Sequence, residues 1–190
     1  MRKTITLVLF AMVAMAVTSC KPSKEKAIAY NDKIINEQVE IINKINKLYD
    51  ALKNYKDAYG MDYAYAEALK QVETGADVVG KMEKFGGETE FRDEALKLFD
   101  TYKSCLQNEL KKMIDISKLS DDMYTEETEA EFNKLNDISA KKMEDGLQSL
   151  NRVQAKFAGE YKFEISVRLS TASAVGTTRR SSSCGNPVIV

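Results

Sequence analysis

Histidine and tryptophan are both absent from this 190-residue chain, and the missing histidine excludes most familiar catalysts. A c-type haem requires Cys-x-x-Cys-His, zinc hydrolases require His-Glu-x-x-His, and di-iron bundles require Glu-x-x-His. Ser-His-Asp and Cys-His nucleophiles are excluded on the same ground. No Gly-x-x-x-x-Gly-Lys-Ser/Thr or Gly-x-Gly-x-x-Gly run occurs; Gly86-Gly87 reads only as a helix-breaking pair. The chain is therefore expected to be non-enzymatic, with no catalytic residue, no cofactor site and no metal site.

Proline is nearly absent too. Only Pro22 and Pro187 occur, so residues 23–186 lack the strongest helix breaker. Lysine, glutamate, alanine and leucine dominate that stretch, all good helix formers. The 28 basic and 29 acidic residues nearly balance. A nucleic-acid partner is not expected, because such binders carry a clustered basic face.

Cysteine is sparse, and its first position is informative. Met1-Arg2-Lys3 precedes an apolar run over residues 5–17, then Val17-Thr18-Ser19-Cys20. The run is shorter than the roughly 20 residues a spanning helix needs. Basic start, apolar middle and small-residue end form a secretory signal, here with cysteine as the first residue after the expected cut between Ser19 and Cys20. This arrangement resembles the bacterial lipoprotein lipobox. The resemblance implies acyl chains on the Cys20 thiol, acylation of the new amino terminus and attachment to a membrane. Loss of residues 1–19 removes Arg2 and Lys3 and no acid.

Apolar periodicity organises the remainder as all-α. A first helix is expected over residues 24–58, with Ile34, Ile35, Ile41, Ile42, Ile45, Leu48, Tyr49 and Leu52 on one stripe. Gly60 is read as its stop and Asp62 as the cap of a second helix ending near Phe85. That helix carries Tyr65, Leu69, Val72, Ala76, Val79 and Met82. A third is expected over residues 88–119 on Phe91, Ala95, Leu98, Tyr102, Cys105, Leu106, Leu110 and Met113. A fourth starts near Thr125 and reaches Tyr161 through Phe132, Leu135, Ser139, Met143, Leu147, Leu150, Val153 and Phe157. Short connections between long amphipathic helices imply an up-down-up-down four-helix bundle. The expected domains are a signal peptide (1–19), a lipidated tether (20–27), the bundle (28–163) and a disordered tail (164–190). The tail lacks lysine and aspartate, and Arg168, Arg179 and Arg180 are half of the six arginines. That shift in composition also fits a reading frame or gene boundary differing from that of the body.

Few residues suggest a site. Tyr55, Tyr59, Tyr63 and Tyr65 cluster at the first turn and form a candidate binding patch for an envelope protein or a glycan, since tyrosine is enriched where surfaces bind. The plainer reading has these rings close the end of the core. Asp121, Asp122, Glu126, Glu127, Glu129 and Glu131 lack calcium-loop spacing and are read as compensating a helix dipole. Cys105 is expected to be a small buried hydrophobe. Gly75, Gly80 and Gly146 lie within helices, where they permit close contact or line a pocket for a lipid or other small molecule.

The lipobox, the run Asn31-Asp32-Lys33-Ile34-Ile35-Asn36-Glu37-Gln38 and the run Gln154-Ala155-Lys156-Phe157-Ala158 together resemble an uncharacterised family of small surface lipoproteins from Bacteroidota. The likeness spans about residues 1–163. It implies a helical bundle on the cell envelope, at the outer membrane, and carries over no catalytic residue. The tail beyond Ile165 departs from that pattern. So does Lys21-Pro22-Ser23-Lys24, which lacks the acidic residues that often follow the lipidated cysteine in such bacteria.

Overall fold

The computed structural model describes residues 21–53 and 57–165. These residues form a helical bundle with no strand among them: α1 (Lys24–Lys53), α2 (Ala58–Gly80), α3 (Glu90–Cys105), α4 (Lys111–Ser117) and α5 (Glu126–Tyr161). A π-helical turn, Leu106–Leu110, joins α3 to α4, so the bundle has four rods. The expected signal (1–19), Cys20, Tyr55 and the rest of the expected tail beyond Ile165 lie outside the described residues.

The apolar stripes become the core. Ile34, Ile41, Ile45 and Leu48 of α1 are fully buried against Ala68, Val72 and Val79 of α2, Leu98, Phe99 and Tyr102 of α3, and Leu150 of α5. Each such aliphatic side chain contributes roughly 1.5–3 kcal/mol by leaving water. On α2 the deepest line is Met61, Ala68, Val72, Gly75 and Val79; Tyr65, Leu69 and Ala76 flank it half-buried. The small residues Ala68 and Gly75 let α1 approach closely, with Ile41 Cδ1 3.0 Å from where a Gly75 Cβ would stand.

Paired side chains tie the rods together. Lys44–Glu67 (2.7 Å) and Tyr30 Oη to the Glu83 carbonyl (3.4 Å) join α1 to the α2 region. Lys103–Glu73 (3.0 Å) and Lys118–Asp62 (2.6 Å) join the third rod to α2. Glu94 accepts from Ser149, and Glu109 pairs with Lys142 (2.7 Å), across to α5.

Two helix boundaries differ from expectation. Asp57, not Asp62, caps α2, its carboxylate accepting from the Gly60 amide at 2.7 Å. Gly60 therefore lies in the first turn of α2 and stops nothing. α2 ends at Gly80, before Phe85. The segment after it turns at Gly86 and Gly87, whose φ of 62° and 93° favour glycine, and closes with Phe85 and Glu88 bonded to each other through their backbones. Arg92 holds this segment by donating to the Met82 carbonyl at 2.8 Å.

The last helix matches its expected limits. Thr125 and Thr128 form a reciprocal capping box. At the other end Lys162 takes φ 58°, Lys162 N–H bonds to the Gly159 carbonyl and Phe163 N–H to the Ala158 carbonyl, the Schellman pattern. Its apolar clasp is a second small core of Ala27, Ala158, Tyr161 and Phe163, with Ile165 packed against it. Ile165, placed in the expected tail, thus packs against the bundle. Among the described residues of the stretch read as a tether, Lys21, Pro22 and Ser23 precede the helix, and Ala27 is fully buried within it.

Candidate functional site

Three of the four tyrosines of the expected patch are among the described residues, and they divide between two environments. Tyr59 and Tyr63 stand one helical turn apart on α2, 78% and 59% exposed, with rings stacked at 6.4 Å and 20°. Tyr65 is two residues further, on another face. It packs half-buried against the core, and burial raises its hydroxyl pKa. Tyr65 thus caps the core while Tyr59 and Tyr63 remain at the surface; Tyr55 is outside the described residues.

A second concentration of aromatics was not anticipated. Tyr30, Phe85, Phe157 and Tyr161 meet with ring centroids 4.8–5.8 Å apart, and Phe91 lies 5.2 Å from Phe157. They come from α1, the turn after α2, α3 and α5, so no local run in the chain announces them. Beside them opens a cleft of about 260 Å³. Its apolar wall is Tyr30, Phe85, Phe91, Val153 and Phe157; its polar wall is Glu88, Glu90, Lys156 and Glu160. Glu90 pairs with Lys156, and Glu160 with Lys21 (3.1 Å). The Lys21 ammonium also stands 5.1 Å from the centre of the Tyr161 ring.

The glycines named as possible pocket lining are elsewhere. A Cβ on Gly146 would meet Leu98 Cδ1 at 2.8 Å, so Gly146 and Gly75 serve close helix contact. Gly80 faces no atom within 4 Å.

Polar residues thread the core in hydrogen-bonded pairs. Gln154 donates to Asn31 (2.8 Å), Gln38 to the Tyr102 hydroxyl (3.3 Å), and the Tyr49 and Ser139 hydroxyls share a bond of 2.8 Å. Burial pushes the Tyr49 and Tyr102 hydroxyls up to about 12. Cys105 is buried as expected, its thiol 4.0 Å from the Ser139 carbonyl. Burial, then the Glu109 carboxylate, pushes that thiol up to about 11. A thiol so disposed is a poor nucleophile at neutral pH. Glu109, on the π-helical turn, gives one oxygen to Lys142 and leaves Oε2 buried with no partner.

Of the acidic residues at the start of α5, Glu126 and Glu127 are exposed and Glu129 is half-buried. Among the described residues no three His, Cys, Asp or Glu side chains converge on a metal position, and no helix is long and apolar enough to cross a membrane. Comparison with protein-family models, curated proteins and solved structures finds no match to this chain.

Proposed function

We propose that this chain is a lipoprotein of the bacterial cell envelope, at the outer membrane, and akin to the small surface lipoproteins of Bacteroidota. In this reading it is non-enzymatic, and acyl chains on Cys20 hold a helical binding or structural module at the bilayer. The observation that carries the reading is Val17-Thr18-Ser19-Cys20 behind a basic start and a short apolar run. Two or three acyl chains, at about 0.8 kcal/mol per buried methylene, anchor a protein that one chain would not.

An up-down-up-down course fits the bundle. Position 30 pairs with 83 and 44 with 67, while 94 pairs with 149 and 109 with 142; one number rises as the other falls. On that course Lys21 and the aromatic cleft share the end beside the anchor. Tyr59 and Tyr63 then lie at the far end, about 45 Å away along a 30-residue helix. Two exposed, stacked tyrosines at the tip of a tethered rod suit an envelope protein or a glycan. Membrane fractionation of Cys20→Ala tests the anchor: the variant leaves the membrane fraction as precursor or soluble protein, and unchanged fractionation counts against the proposal.

A second reading, a carrier of a small molecule, is favoured by the aromatic cleft. Native mass spectrometry separates the two, because a carrier copurifies with cargo.

A further inference from the structure

The geometry points to the aromatic cleft as a site for a small organic cation, an alkylated ammonium whose methyl groups rest on ring faces. This names the ligand class for the carrier reading and rests on it.

Three observations converge. The apolar wall is built from ring residues of separate elements, Tyr30, Phe85, Phe91 and Phe157, and aromatic faces attract cations through their quadrupole. On the polar wall Glu90 is paired with Lys156 and Glu160 with Lys21, which leaves the Glu88 carboxylate with no ion pair among the described residues. At this same end of the bundle the protein already places a cation over a ring, Lys21 above Tyr161.

Competing ligands fit less well. An anion would meet Glu88, Glu90 and Glu160, and the positive end of α3 is already answered by Glu90 and Asp93 in its first turn. An acyl chain needs a longer void: about 260 Å³ lies below the roughly 300–1,000 Å³ of drug-sized sites. A quaternary ammonium headgroup matches both the size and the charge.

The test titrates the purified full-length chain with choline chloride and, separately, with 3,3-dimethylbutan-1-ol, which replaces the ammonium nitrogen by carbon at nearly the same shape. Aromatic carbon–proton NMR of labelled phenylalanine reports Phe85, Phe91 and Phe157. Choline is expected to shift these signals with a Kd about five-fold below that of the neutral analogue. Glu88→Gln, an exposed change that does not threaten folding, is expected to weaken choline by about two- to three-fold and leave the neutral analogue unaffected. Equal binding of the two compounds overturns the cation assignment while leaving an apolar carrier site. No shift from choline overturns it as well; a neutral cargo in native mass spectra would then keep the carrier reading alive. Displacement of choline by inorganic phosphate would place an anion in the cleft and overturn it too.

Discussion

Replacing Gly146 by alanine sets two opposing effects against each other on one helix. Alanine favours helix over glycine by about 1 kcal/mol. The added Cβ, however, would stand 2.8 Å from Leu98 Cδ1. Leu98 is 1% exposed, so its methyl group has nowhere to move without displacing other core atoms. Overpacking of that kind costs typically 1–3 kcal/mol. The net expectation for Gly146→Ala is a loss of about 1 kcal/mol, or roughly 3 °C in Tm for a domain of this size. Gly159→Ala is the internal control. It lies on the same helix with no atom within 4 Å of the new Cβ, and should gain about 0.5–1 kcal/mol. Urea unfolding followed by helical circular dichroism measures both. Leu98→Ala then completes a double-mutant cycle: its large-to-small cost of about 2–5 kcal/mol should shrink in the Gly146→Ala background, because the new methyl fills part of the cavity. Equal stabilisation by Gly146→Ala and Gly159→Ala would refute the close approach of α3 to α5.

Two further outcomes follow from the polar pairs in the core. Asn31→Leu strands the Gln154 side-chain amide, 2% exposed, and is expected to cost about 1–3 kcal/mol, whereas Asn31→Leu with Gln154→Leu should lie near neutral; urea unfolding of both variants checks this. Alkaline pH should also destabilise the fold. The Tyr49 and Tyr102 hydroxyls are pushed up to about 12, against about 10 in the unfolded chain. Their contribution is whole below about pH 10 and disappears as pH rises through about 12. Thermal melts across that window should fall, and Tyr102→Phe should flatten the decline.

Much of the fold was legible because period alone sets a helix face. The expected stripe of the third rod, from Phe91 to Met113, is buried throughout. The helix ends were less legible. Asp57 and Asp62 are equally good caps as residue types, and the choice was made by the Gly60 amide reaching Asp57 and by Lys118 taking Asp62. The π-helical turn left no mark in the apolar pattern, because it holds Leu106 and Leu110 on the core side along with Glu109. Ser139 was on its expected stripe, but the buried amides Asn31, Gln38 and Gln154 were missed because the stripes were traced through apolar side chains. Spacing could have found them: Asn31 and Gln38 continue the 34, 41, 45, 48 series at three- and four-residue steps, as Gln154 continues 143, 147, 150. The tyrosine patch was legible by composition yet split by geometry, Tyr65 turning inward. The cleft could not be read locally, since its rings are assembled from four separate parts of the chain.

The central claim, attachment through Cys20, is tested most directly by the intact mass of the protein extracted from bacterial membranes. The account predicts a chain that begins at Cys20 and carries two or three fatty acyl groups. A chain that still begins at Met1, or one beginning at Cys20 with an unmodified thiol, would contradict it.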